Sequence, residues 1–353
     1  VIYAVMSNLF LRRLPVLALT LAALFLSLPA RLAADLVWKP GTGWQVDGGA
    51  VSGLLGSEGR NAVDLMNKAR EAEENKSVGS ALSSYNKVAK KYPNSIYAPE
   101  ALYRAAKLHL GRKEYFKAFE AYQGVVGRYP NSKHFSEIIG EQYRIASALL
   151  DGARNRTWGW LPGFRNREKG IEYFEFILIN APYSDYAPLA LMNIARGHQK
   201  LRQPEEAIDA LDRMINSYPQ SLLAPDAYLK LAQAHAGLVE GPYYDQASSK
   251  EAVTYFEDFM ILFPSDPSIA AAAKGLDSMK VVIAESKMKI GDFYLYKRSN
   301  FKAAKVFYNE AITAYPDSEV AKRAKIRLVE VEAGAEGKPV PPEAGKKKRF
   351  GLF

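Results

Sequence analysis

Six times along this chain the apolar positions form the same helical stripe and end on a proline. Counting back from each proline, a small residue lies twelve positions earlier, a bulky one eight earlier and an apolar one five earlier. Pro130 is preceded in this way by Ala118, Tyr122 and Val125, Pro219 by Ala207, Leu211 and Met214, and Pro264 by Ala252, Phe256 and Phe259. Pro316 follows Ala304, Tyr308 and Ala311, Pro93 follows Ala81, Tyr85 and Val88, and Pro182 follows Gly170, Phe174 and Ile177. Intervals of four and three put such residues on one face of an α-helix. The proline ends that helix, because it lacks an N–H and restricts the residue before it. The spacings between prolines are 37, 52, 37, 45 and 52 residues, and short polar turns such as Asn94-Ser95 and Asp317-Ser318 follow them.

A partner helix precedes each of these. Leu191, Ile194, Ala195 and His198 share a face ahead of the turn Arg202-Gln203-Pro204, so the unit is an antiparallel helix pair. The order of large, small and aromatic positions and the closing proline resemble the tetratricopeptide repeat over about residues 62 to 330. One pair cannot bury its apolar stripe alone, so the expected fold is all-α, a right-handed solenoid of stacked hairpins with a concave inner surface. Ser268 to Arg298 contains no proline and reads as one long helix in the C-terminal half. The expected organisation is a signal peptide or uncleaved anchor over 1–34, an N-terminal extension with a short hairpin over 35–60, the solenoid over 61–335, and a disordered basic tail over 336–353.

Composition narrows the chemistry. The absence of cysteine removes disulfides, thiolate metal sites and a thiol nucleophile. Of the formal net charge of +9, residues 1–34 carry +3 and residues 336–353 another +3, which leaves the body nearly balanced. Arg12 and Arg13 precede the uncharged stretch Leu14 to Leu28, the pattern of an export signal, so the body is expected to be exported. Export makes nucleic acid a poor partner. The tail's Lys346-Lys347-Lys348-Arg349 cluster is either a solubilising end or a contact to an anionic membrane surface.

No nucleophile triad, phosphate loop, HExxH or dinucleotide motif is present, so the expectation is a non-catalytic protein without cofactor or metal. His109, His198 and His235 end three similar segments, APEALYRAAKLH, APLALMNIARGH and APDAYLKLAQAH. They are read as three copies of one structural position, because successive units lie about 10 Å apart, too far to share one ion. His134 shows no partner in sequence, and Glu73-Glu74 and Glu205-Glu206 read as solvated faces. The insertion Asp151 to Arg167 interleaves Trp158, Trp160 and Phe164 with Arg154, Arg156, Arg165 and Arg167. Aromatic and arginine residues dominate interfaces, so Trp158, Trp160, Phe164 and Arg165 form the candidate partner-binding loop, with a loop folded back on the solenoid as the other reading.

The C-terminal half carries a second resemblance. A lengthened loop around Tyr243-Tyr244-Asp245-Gln246, a helix with a Phe-Pro turn, a long charged helix ending in FYLYKRSNFKAA and a last repeat closing on AYPDSEVAKRA are similar to the BamD family of outer-membrane assembly lipoproteins. The resemblance spans residues 61 to 334. It implies a periplasmic scaffold at the outer membrane that binds barrel-assembly components and receives unfolded barrel segments. Lipidation does not carry over, since the family's acylated cysteine has no counterpart, and neither does any individual contact residue. The alternative is a periplasmic repeat protein coordinating cell division or peptidoglycan synthesis with envelope constriction.

Overall fold

The computed structural model describes residues 35–47, 57–239, 241 and 246–341. The expected signal segment, most of the basic tail and the Tyr243-Tyr244-Asp245 part of the long loop lie outside the described residues. Two strands, β1 (Asp35–Lys39) and β2 (Gly43–Asp47), precede the first helical hairpin. The hairpins are α1 (Ser57–Glu74) with α2 (Val78–Lys91), α3 (Ala98–Gly111) with α4 (Tyr115–Arg128), and α5 (Phe135–Leu150) with α6 (Arg167–Asn180). Next come α7 (Tyr186–Lys200) with α8 (Pro204–Ser217), α9 (Ala224–Gly237) with α10 (Gln246–Leu262), and α11 (Ile269–Arg298) with α12 (Phe301–Ala314). A last helix, α13 (Glu319–Ala335), follows. Strands β3 (Arg154–Thr157) and β4 (Leu161–Arg165) are inserted between α5 and α6. The chain is the expected solenoid of helix hairpins, and the long helix is α11, with 30 residues.

The stripe read from sequence is the core. Ala81, Tyr85, Val88, Ala118, Tyr122, Val125, Phe174, Ile177, Ala207, Leu211, Met214, Ala252, Ala304, Tyr308 and Ala311 are fully buried, and Phe256 and Phe259 nearly so. Burying a side chain of this size stabilises by about 1.5–3 kcal/mol against the entropy of ordering it. The small position serves close approach. At Gly170 a Cβ would stand 2.9 Å from both the Ala146 carbonyl oxygen and the Leu150 nitrogen, so α6 meets the backbone of α5 directly.

The six proline corners share one geometry. In each, the backbone N–H of the fourth residue donates to the carbonyl of the first at 2.9–3.3 Å, from Ser95 to Tyr92 through Ser318 to Tyr315. Serine hydroxyls at Ser95, Ser184 and Ser318 donate to that same carbonyl, which fixes the turn without the proline's missing N–H. Corners are also joined to one another. Tyr129 Oη donates to the Pro93 carbonyl at 2.5 Å, and Tyr218 Oη to the Pro182 carbonyl at 2.7 Å. In these two pairs the tyrosine before one proline thus anchors to the proline of the preceding repeat and fixes the two corners side by side.

Two compact units are present. The first comprises the described residues up to Ile138 together with Arg154–Phe164, and the second comprises Ile139–Ala153 and the described residues from Arg165 onward.

Candidate functional site

The insertion after α5, read from sequence as a partner-binding loop or a loop folded back on the solenoid, is a two-stranded ribbon of β3 and β4. Its turn is made by Trp158 and Gly159, both at positive φ, 55° and 81°. The carbonyl of Trp158 accepts from Arg112 Nη2 at 2.6 Å. Two more bonds dock the ribbon on the α3–α4 turn: Phe116 N donates to Asn155 Oδ1 at 3.1 Å, and Arg156 N to the Lys113 carbonyl at 2.9 Å. The backbone is folded back while the large side chains are not buried. Trp158, Trp160 and Phe164 are 65%, 69% and 95% exposed, and Arg165, at the end of β4, is exposed as well.

In the first unit, β1 and β2 lie against the first helices of two consecutive hairpins. Their register pairs Trp38 with Trp44 and Lys39 with Gly43. Trp44 and Leu36 are buried in a cluster with Met66, Ala69, Tyr85, Tyr97 and Ala101. Trp44 N donates to Asn67 Oδ1 at 2.8 Å, and Lys133 Nζ to the Leu36 carbonyl at 3.1 Å. The Arg70 guanidinium stands 4.6 Å from the Trp38 ring centroid and that of Arg104 5.3 Å from Trp44, so the aromatic faces are closed by cations.

Those arginines begin a polar network that sequence reasoning missed. Arg104 pairs with Glu100 at 2.9 Å and with Glu73 at 3.7 Å, and Glu73 accepts from Tyr85 Oη at 2.8 Å. Glu73 is therefore an internal acceptor rather than part of a solvated face. His134 has partners on two sides: Nε2 lies 2.8 Å from Glu100, Nδ1 lies 3.5 Å from Glu137, and the ring stacks on Tyr103 at 3.8 Å. Burial by itself would raise the Glu100 carboxyl, but the bonds from His134 and Arg104 outweigh it and hold the group below its ordinary value. Burial, then Glu73, drives the Tyr85 hydroxyl far up. The partners lie up to 34 residues apart, so no local signal announces them.

The histidines of the repeated segments hold turns. His109 Nδ1 contacts Glu114 at 2.6 Å, and His198 Nδ1 contacts Gln203 at 2.9 Å, five residues on in both cases. Backbone bonds from Glu114 N to the His109 carbonyl and from Gln203 N to the His198 carbonyl close the same turns. His235 instead stacks on Tyr255 at 5.4 Å. Among the described residues no group of three or more His, Asp or Glu is arranged to hold a metal ion, and no helix is long and apolar enough to cross a membrane.

The second unit presents a shallow apolar cleft between two consecutive corners, lined by Pro182, Tyr183, Pro188, Leu189, Tyr218 and Leu222. Tyr183 and Leu222 are almost fully exposed there.

Residues 165–334 match the family YfiO, outer membrane lipoprotein, and residues 100–132 match a tetratricopeptide-repeat family. The chain is 29% identical over 163 residues to the outer membrane protein assembly factor BamD of Rickettsia prowazekii, a match covering 46% of this chain and 64% of that protein. To BamD of Caulobacter vibrioides it is 26% identical over 165 residues, 47% of this chain and 54% of that protein. The chain thus spans less than two thirds of the length of either relative. The crystal structure of MamA is 17% identical, with 57% of this chain and 92% of that one covered at a TM-score of 0.31, a likeness that bears on neither fold nor function. By the geometry of its hairpins and by these matches, this is a tetratricopeptide-repeat chain with a BamD-like segment from residue 165 to residue 334.

Proposed function

We propose that this chain is a non-catalytic assembly scaffold of the cell envelope, exported and held at the outer membrane, which binds a barrel-assembly component through its BamD-like segment. The match of residues 165–334 to the outer membrane lipoprotein family carries the reading. The physical side is the cleft between the Pro182 and Pro219 corners. Tyr183 and Leu222 extend from rigid, hydrogen-bonded turns, so they offer apolar area with little ordering cost on binding. Aromatic anchors of this kind carry most of an interface's energy. A stack of hairpins works here by multivalent side-chain contact, and the repeats supply rigidity rather than chemistry.

The test is co-purification of the tagged full chain from its host's envelope, followed by Tyr183→Asp and Leu222→Asp. Recovery of a barrel-assembly protein that is lost in the double variant supports the reading. Recovery of cell-wall synthases with no barrel-assembly component rejects it.

A further inference from the structure

We infer that the β3–β4 ribbon is a membrane-docking element, in which Trp158, Trp160 and Phe164 enter the interfacial layer of an anionic phospholipid bilayer and Arg154 and Arg156 meet its headgroups. The inference is independent of the partner proposed above, because it requires a bilayer and no second protein.

The first observation is shape. The three aromatic side chains belong to the ribbon's turn and the strand after it and are left exposed, and Leu161 beside them is 42% exposed. A protein hot spot is a pocket or a flat patch ringed by contacts. Side chains standing free on a two-stranded ribbon suit a soft interface, where tryptophan rings rest at headgroup level. The second is charge. Residues 154–165 contain three arginines and no carboxylate. Among the described residues neither Arg154 nor Arg156 is ion-paired, so no described carboxylate neutralises their charge. Each basic side chain near an anionic surface adds about 1 kcal/mol, or about fivefold in partitioning. This complementarity selects an anionic membrane over a neutral one.

The third observation is strain. Trp158 has φ 55°, a left-handed conformation unfavourable to a bulky residue and natural to Asn or Gly at this turn position. Its side chain is 65% exposed and so gains little packing in return. Arg112 holds the strained peptide by its carbonyl, and a Cβ at Gly159 would stand 2.5 Å from Arg112 Nε, so the turn is clamped as well as strained. Folding alone favours glycine at 158, which leaves the indole to act outside the fold.

The experiment uses the full chain, whose lack of cysteine makes an introduced thiol unique. Phe164→Cys and, as control, Ile96→Cys are labelled with an environment-sensitive fluorophore and mixed with phosphatidylcholine vesicles with or without phosphatidylglycerol. The label at 164 is expected to brighten several-fold with anionic vesicles only, and the label at 96 to stay unchanged. Inorganic phosphate alone leaves both unchanged. Arg154→Gln and Arg156→Gln each weaken the response about fivefold. Trp158→Gly abolishes it while raising the thermal midpoint, which separates docking from folding. A chain that binds vesicles with the 164 label unmoved overturns the inference, as does brightening with inorganic phosphate or only with a barrel-assembly protein.

Discussion

His109 Nδ1 lies 2.6 Å from a carboxylate oxygen of Glu114, both side chains buried at the turn joining α3 to α4. The equivalent turn between α7 and α8 is closed by His198 and the amide oxygen of Gln203 at 2.9 Å. The same job is thus done once with a charged acceptor and once with a neutral one, so the geometry and not the charge holds the turn. Glu114→Gln is expected to cost under about 1 kcal/mol, whereas His109→Leu takes the imidazole from a buried carboxylate that keeps only Arg112 at 3.2 Å and Lys117 at 4.0 Å, and costs about 2–3 kcal/mol. Urea unfolding of the two variants checks the order; equal losses would refute it.

Acid should loosen the first unit in two stages. Burial holds His109 below its ordinary value of 6.5 despite Glu114, so the folded chain keeps it neutral while the unfolded chain takes up a proton. Stability therefore declines as pH falls below 6.5. Glu100 is held below 4.5, so its contribution is complete above that value and is lost as pH falls through its lower folded value. Thermal midpoints measured against pH should lose the upper stage in His109→Gln and the lower stage in Glu100→Gln.

His134→Phe preserves a ring on Tyr103 but removes the bond to Glu100. The loss expected is about 1–3 kcal/mol, the range for a buried acceptor that loses one hydrogen-bond partner, Arg104 remaining on Glu100. Without that bond the Glu100 carboxyl rises, so acid unfolding of the variant should begin at higher pH than in the parent chain. Circular dichroism during acid titration reads the shift.

Glycines at two hairpin contacts should respond differently to alanine. At Gly170 the obstruction is backbone, the Ala146 carbonyl and Leu150 nitrogen at 2.9 Å, so Gly170→Ala should cost about 1–3 kcal/mol although alanine is the better helix former. At Gly275 the obstruction is the Phe256 ring, whose Cζ the new Cβ would overlap. Phe256→Ala should cost about 3–5 kcal/mol, and Gly275→Ala should then become less harmful than in the parent. A double-mutant cycle by denaturant unfolding measures that coupling.

The sequence by itself determined the repeated hairpins, the six corners and the buried stripe of Ala118, Tyr122, Ala207, Leu211, Ala252, Phe256, Ala304 and Tyr308, as well as the 30-residue α11. These depend on helical periodicity and on proline, properties that act over a few neighbouring residues and can be read locally. Only the tertiary structure decided that His134 meets Glu100 across 34 positions, that Glu73 is an acceptor for Tyr85, and that Trp44 is enclosed beneath Arg104. It also decided that the Trp158 insertion is a ribbon clamped by Arg112, 46 residues upstream, with its aromatic side chains left outside. Such contacts depend on which turns and faces stacking brings together. That juxtaposition arises from the summed packing of whole hairpins, and no short window of residues encodes it.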